Sequence, residues 1–258
     1  MLKSHPKALL YAGGTDILRE KGSRFAAFPA EIIVVSRLNE LRQVVLTERF
    51  IELGAAITMA EILELRENAV PELLALALRG LATPAVRNLA TIGGNLACSS
   101  RFLDSWPALA CLDALVEIRD AGSSRWINVS RLADENGLPA LPYGCVLTRL
   151  RIPLEPWDAI ALRKVGNANY PSRDGAVFAL AARSEKGILT EFRLAFAGQK
   201  ALRLREIEGK IVGRKLPLGK KERESFASEY REAASPLDAK LRFRFGALVD
   251  GALDLLSR

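Results

Sequence analysis

Two pairs of adjacent glycines, in Ala12-Gly13-Gly14-Thr15-Asp16 and in Thr91-Ile92-Gly93-Gly94-Asn95, are the residues of this chain best suited to chemistry. Each follows an apolar or strand-like approach, stands beside a hydroxyl residue and has a carboxylate or amide within two residues. Glycine has no Cβ to intrude and tolerates positive φ, so its backbone can run against a ligand with the N–H groups turned inward. Two such turns suit a ligand gripped from both sides by backbone donors, and a dinucleotide pyrophosphate is a ligand of that kind. Neither turn has the G-x-x-x-x-G-K-[ST] of a mononucleotide loop or the G-x-G-x-x-G of a Rossmann turn. Taken singly, each glycine pair also reads as a plain tight turn in a chain that holds 19 glycines.

The elements that must position these turns follow an α+β pattern in two parts. Residues 8–12 form an apolar run that ends in the first glycine turn, and residues 31–35 are rich in β-branched side chains between Pro29 and Asn39. Both predict strands, as do residues 43–46 and 50–53. Thr58-Met59-Ala60-Glu61 has capping-box spacing and predicts a helix after it, and residues 71–81 predict another. Pro84 and Asn88 are expected to break that helix ahead of the second glycine turn. Residues 107–112 then read as a helix, and residues 114–119, 125–129 and 145–152 as strands. Pro153-Leu154-Glu155-Pro156 suits a connector, because prolines so spaced fit neither a helix nor a central strand.

Beyond that connector, residues 177–183 and 189–195 flank Ser184-Glu185-Lys186-Gly187 and predict an antiparallel hairpin. Three amphipathic stretches follow, at 203–212, 220–234 and 241–256. The last sets Leu241, Phe245, Leu248, Val249, Ala252, Leu253 and Leu256 near one face, which reads as a core stripe. The second part is expected to be a small sheet with helices on it.

Composition excludes several functions. The 258 residues are 49% hydrophobic and 26% charged, as in a globular protein large enough for two domains. No run approaches the roughly 18 apolar residues of a membrane span, and Met1-Leu2-Lys3-Ser4-His5-Pro6 lacks the pattern of a signal peptide, so the expected address is cytoplasmic. Cys98, Cys111 and Cys145 stand far apart and the single histidine is His5, which leaves no ligand set for zinc or an iron–sulfur cluster. Residues 200–258 hold fourteen Lys and Arg against nine Asp and Glu, most of the overall charge of +7. There the signs alternate, as in Lys220-Lys221-Glu222-Arg223-Glu224, in the manner of a solvated helix face, so nucleic-acid binding is not expected.

The two turns in their context narrow the reading. Tyr11-Ala12-Gly13-Gly14-Thr15-Asp16 and Thr91-Ile92-Gly93-Gly94-Asn95-Leu96-Ala97 are followed by Ser100, Asp104, Pro107-Ala108-Leu109 and Leu112-Asp113-Ala114. Together they resemble the FAD-binding subunit of molybdenum hydroxylases, the xanthine dehydrogenase and carbon monoxide dehydrogenase flavoprotein family. The resemblance extends through Leu53-Gly54-Ala55-Ala56-Ile57-Thr58 and Ile152-Pro153 to residues 192–198, Arg205-Glu206-Ile207-Glu208-Gly209-Lys210 and Gly213. It implies a PCMH-type FAD-binding domain at residues 1–153 and, at 157–258, a C-terminal domain of the carbon monoxide dehydrogenase flavoprotein type, an antiparallel sheet with helices.

The resemblance also implies roles. Leu10, Tyr11, Ala12, Gly13, Gly14, Thr15, Asp16 and Ile17 would line the first FAD loop, with Gly13, Gly14 and Thr15 against the pyrophosphate and Asp16 closing the turn. Thr91, Gly94 and Asn95 would supply the second loop, near which Cys98 replaces a hydrogen-bonding Asn or Thr and Arg101 replaces a common Pro. Asp104 would accept a hydroxyl of the adenosine or ribityl portion, as an ionised carboxylate can; the residues alone also allow a helix N-cap. Ile152 matches an apolar position near the isoalloxazine. Lys164 matches a basic position near the flavin ring, where a cation stabilises the reduced anion, although it also reads as an ordinary surface lysine. Residues 166–172 depart from the family's basic run, while Arg173-Asp174 matches its end.

As for activity, the resemblance implies an oxidoreductase subunit that is not catalytically complete alone and has no general acid or base of its own. Molybdopterin and 2Fe-2S clusters would sit on a large and a small partner subunit, with electrons leaving through FAD to NAD⁺, oxygen or a quinone. A stand-alone FAD-dependent oxidase or reductase, and a flavin-free interaction subunit, are the competing readings.

Overall fold

The β-branched and aliphatic runs pair into three sheets in the computed structural model, which describes residues 4–5, 7–21, 28–66, 68–141, 144–166 and 175–256. Strand β1 (Leu9–Tyr11) lies parallel to β2 (Ile32–Val34), and helix α1 (Thr15–Lys21) leaves directly from the first glycine pair. A 3-10 turn at Asn39–Leu41 leads into β3 (Val44–Leu46) and β4 (Phe50–Gly54), followed by α2 (Met59–Leu63), α3 (Glu72–Arg79), α4 (Pro84–Arg87), α5 (Ile92–Leu96) and α6 (Ser105–Cys111). Strands β5 (Leu115–Arg119) and β6 (Ser124–Asn128), a second 3-10 turn at Val129–Leu132 and β7 (Val146–Pro153) complete an antiparallel sheet of order β3-β4-β7-β5-β6.

The rest of the chain builds β8 (Ala159–Val165), β9 (Ala176–Glu185), β10 (Ile188–Ala197) and β11 (Ala201–Leu202), antiparallel in the order β11-β10-β9-β8. Helices α7 (Arg205–Ile211), α8 (Lys220–Ala233) and α9 (Ala239–Leu255) follow. Alternation along β9 explains how this sheet is held. Phe178 and Leu180 face α7, α8 and α9 through a cluster with Tyr230, Phe245 and Val249, whereas Ala179 and Ala181 face the other way. Their small side chains admit α6, which packs on β9 and β10 from one side while Trp106 and Leu109 join Ile51, Leu150 and Ile152 of the five-stranded sheet on the other. One apolar layer thus fastens the two parts, so the sheet behind β9 reads as continuous burial on both faces, as in any sheet covered twice.

Most predicted elements are present, including the capping box, in which Thr58 Oγ1 accepts the Glu61 amide at 3.2 Å and Glu61 Oε2 accepts the Thr58 amide at 2.9 Å. Others are corrected. Pro84 does not break a helix but starts α4 at its first position, where its missing N–H costs nothing, with Thr83 capping Val86. Pro153 ends β7 opposite Phe50, at the margin of the sheet where a ladder donor can be lost. Strand β8 carries no strand signal, because Ala-Ile-Ala-Leu-Arg-Lys-Val is built mostly of helix formers and its place is set by pairing with β9. The motif at 167–174, with Arg173 and Asp174, lies outside the described residues.

Candidate functional site: two glycine segments at the seam of two sheets

Strand β1 delivers the first glycine pair to the side of the second. A Cβ on Gly13 would stand 1.8 Å from the Leu89 carbonyl oxygen and 3.2 Å from the Ala90 nitrogen, so only glycine permits this approach of two backbones. Gly14 has φ +69°, and the Tyr11 hydroxyl would lie 2.2 Å from its Cβ, because the Tyr11 ring folds back over it. That turn aims the chain into α1 at Thr15. Among the described residues the amides of Gly13, Gly14 and Thr15 meet no acceptor, as at any helix start without a cap, and they are the free donors of the site. Ala12, Thr15, Asp16 and Ile17 are half-buried around them. Leu10 lines a cleft of about 490 Å³ with Ile33, Val35, Leu41 and Val146, on the strand that feeds the turn.

The second glycine pair is not a turn of the same kind. Thr91 caps α5, its hydroxyl accepting the Gly94 amide at 3.1 Å and its carbonyl accepting Asn95 at 2.9 Å. The Ile92 and Gly93 amides are bonded to the carbonyls of Ile57 and Ala55 at 3.0 and 2.9 Å. The expectation of two opposed rows of donors is therefore corrected: the first segment offers free amides and the second is a closed helical turn that walls them. Gly93 is glycine because its Cβ would meet Ala55 Cβ at 2.5 Å, which brings α5 down onto the end of β4. Asn95 turns inward, 7% exposed, with its Oδ1 accepting the Ser105 hydroxyl at 2.6 Å and so anchoring α6.

Three contacts lock the segments together. Gly13 rests on Leu89, Gly94 faces Ala12 with its Cβ position 3.9 Å from the Ala12 methyl, and Cys98 Sγ donates to Asp16 Oδ2 at 3.2 Å. Burial pushes the Cys98 thiol above its ordinary range and the Asp16 charge adds to this, so sulfur keeps its proton and serves as donor. The loop after Cys98 reaches the other sheet: Arg101 Nη2 donates to the Gly175 carbonyl at 2.8 Å and the Phe102 amide to Gly198 at 2.7 Å. Asp104 makes no side-chain cap for α6; it accepts from Lys164 Nζ of β8 at 2.6 Å, and that ammonium also reaches the Gly80 carbonyl at 3.4 Å.

The structure thus gathers Tyr11 to Ile17, Thr91, Gly94, Asn95 and Cys98 into one unit, with Asp104 and Lys164 paired at the seam between the sheets. It does not bring Ile152 there. That side chain has no exposed surface and sits opposite Ile51 on β7, the central strand of its sheet. Sequence reasoning missed Leu89 as a support; its exposed side chain hides the fact that its backbone carries the contact. Among the described residues no cluster of three His, Cys, Asp or Glu could hold a metal, and no helix is long and apolar enough to cross a membrane.

A five-stranded antiparallel sheet with helices on one face, joined through α6 to a four-stranded sheet, is the fold of a chain of reconstituted CO dehydrogenase from Oligotropha carboxidovorans. The TM-score is 0.81 over 96% of this chain and 89% of that one, at 20% identity. Residues 1–155 match the FAD binding domain in molybdopterin dehydrogenase, and the chain belongs to that family. The xanthine dehydrogenase FAD-binding subunit of Escherichia coli O157:H7 is 28% identical over 201 residues, 76% of this chain and 68% of that protein. The nicotinate dehydrogenase FAD-subunit of Eubacterium barkeri is 33% identical over 138 residues, 52% of this chain and 45% of that protein. The chain is accordingly an FAD-binding oxidoreductase component of the molybdenum hydroxylase family.

Proposed function

We propose that this chain is the electron outlet of a multi-subunit molybdenum hydroxylase, receiving electrons from an iron–sulfur subunit and passing them through FAD to NAD⁺ or another acceptor. The observation that carries the reading is the junction of the two glycine segments, with free amides on one and a closed wall on the other. Bound FAD would supply the exchange between single-electron and two-electron transfer. The amides of Gly13, Gly14 and Thr15 would meet the diphosphate, with Leu10, Tyr11, Ala12, Asp16 and Ile17 forming the rest of that loop. Thr91, Gly94, Asn95 and Cys98 would hold the wall against it. Asp104 and Lys164 would face the cofactor from the seam, the lysine supplying positive charge where the flavin is reduced. Residues 1–153 would form the cofactor-binding part and 157–258 the part that closes the seam.

A molybdopterin-bearing large subunit and a 2Fe-2S small subunit are the partners this division of labour requires. One structural relative is a carbon monoxide dehydrogenase from Hydrogenophaga pseudoflava described as lacking the Mo-pyranopterin moiety of the molybdenum cofactor. Work of this kind belongs in the cytoplasm, where NAD⁺ is available. Anaerobic addition of the enzyme's organic substrate tests the proposal. The visible flavin band should bleach in the three-subunit complex and remain unchanged in the FAD-loaded chain alone. Bleaching of the isolated chain by that substrate would mark a stand-alone enzyme instead.

A further inference from the structure

Between α5 and α6, residues 98–104 hold neither helix nor strand, so contacts with other elements must set the course of this loop. Four such contacts reach four different elements. Cys98 Sγ donates to Asp16 Oδ2 on α1 at 3.2 Å, and Asp104 accepts from Lys164 on β8 at 2.6 Å. Between them, Arg101 Nη2 donates to the Gly175 carbonyl at 2.8 Å and the Phe102 amide to the Gly198 carbonyl at 2.7 Å. Gly175 precedes β9 and Gly198 follows β10, where the two strands pair with Ala197 opposite Val177. A Cβ on Gly198 would stand 2.4 Å from the Gly175 oxygen, so glycine lets the two strand ends close into one seat for the loop. Phe102 is also fixed from below, 4% exposed with its ring 4.9 Å from that of Trp106. The Arg101 guanidinium spans two carbonyls, because its Nε reaches back to that of Phe102 at 3.4 Å.

We infer that Arg101 is a positioning residue for the cofactor: it holds the second sheet against this loop, so that FAD binding and the docking of the two parts are coupled. Both ends of the loop border the glycine segments. Cys98 is bonded to Asp16 of the first, and Asp104 stands beside Ser105, whose hydroxyl is held by Asn95 of the second. A displacement at Arg101 is therefore passed on within three residues in either direction. The fold itself does not depend on this guanidinium, since α6 and the apolar layer around Trp106 and Leu109 already join the two parts. Losing it frees the loop at the seam and leaves the layer beneath intact. Linkage makes the effect reciprocal: if the seated loop favours FAD, bound FAD must tighten the seat by the same factor. The inference rests on the assignment of FAD to the glycine segments.

The test is FAD titration of the flavin-stripped chain, with hydrogen exchange at the Phe102 amide, for wild type, Arg101→Ala and Arg101→Lys. Arg101→Ala should bind FAD at least about tenfold more weakly, the scale of losing a charged hydrogen-bond donor. Arg101→Lys keeps the charge but lacks the fork that reaches both carbonyls, and should fall between the two. In the wild-type chain FAD should slow exchange at Phe102 at least about tenfold, and in Arg101→Ala that slowing should disappear. Wild-type FAD affinity in Arg101→Ala would overturn the inference, including where urea shows the variant to be less stable, because the arginine would then only brace the seam. Exchange at Phe102 that is indifferent to FAD in the wild-type chain would overturn it too, whether or not the alanine variant folds. A wild-type chain that binds no FAD would overturn the cofactor assignment itself and this coupling with it.

Discussion

Gly13→Ala is expected to lose most of its FAD affinity while both large sheets remain folded. The added methyl would lie 1.8 Å from the Leu89 carbonyl, a backbone atom that no rotamer can move, so the two glycine segments must part. Overpacking of this kind costs about 1–3 kcal/mol, and if the strain is relieved by opening the site the same energy appears as a loss of roughly five- to a hundred-and-fiftyfold in affinity. Gly94→Ala is the informative contrast. Its methyl meets only the Thr91 hydroxyl at 2.9 Å, the end of a side chain, and the Ala12 methyl at 3.9 Å, so its effect should be smaller. Flavin fluorescence titration with far-ultraviolet circular dichroism separates binding from folding. Wild-type affinity in Gly13→Ala would mean that the junction of the loops does not shape the site.

Arg203→Ala is expected to destabilise the fold by about 3–5 kcal/mol, the range for removing one partner of a buried ion pair. The Arg203 side chain is 5% exposed and joins both parts of the molecule: Nη1 binds Asp113 Oδ1 at 2.6 Å and the Ala110 carbonyl at the end of α6, and Nε binds Glu208 Oε1 on α7 at 3.2 Å. Glu208 also accepts the Leu194 amide of β10 at 2.9 Å. Without the guanidinium, the buried Glu208 carboxylate would lose its cationic partner and keep only the Leu194 amide, and the Ala110 carbonyl would keep only main-chain amides, that of Asp113 among them. Burial tends to raise the Asp113 carboxyl, but Arg203, with Arg193 and Arg205, outweighs it and holds the carboxyl below its ordinary range. Lysine should rescue little, because it lacks the fork that serves three acceptors. Urea denaturation reads the change; a loss under about 1 kcal/mol would show that the network contributes little net stability.

What was legible in the sequence depended on whether a signal was local. Thr58 and Glu61 announce their capping box by spacing, and the α9 stripe of Leu241, Phe245 and Val249 announces its buried face by period; both are present. The first glycine segment was readable because Gly14 must take positive φ where strand turns to helix. The second was misread as a turn because Thr-Ile-Gly-Gly-Asn is a poor helix sequence, and its one helical turn exists only through bonds to Ile57 and Ala55, more than thirty positions earlier. Strand β8 was invisible for the same reason, as its partner β9 supplies the conformation. The pairing of Asp104 with Lys164 spans sixty residues and both parts of the chain, so no spacing rule connects the two.

Binding of FAD and FMN to the flavin-stripped chain is the most direct measurement of the central claim, that free amides at Gly13, Gly14 and Thr15 hold a diphosphate. One FAD should bind per chain, and FMN, which lacks the diphosphate bridge and the adenosine beyond it, should bind at least about a hundredfold more weakly, a difference of about 2.7 kcal/mol. Equal affinity for the two flavins, or no saturable binding of FAD, would contradict it.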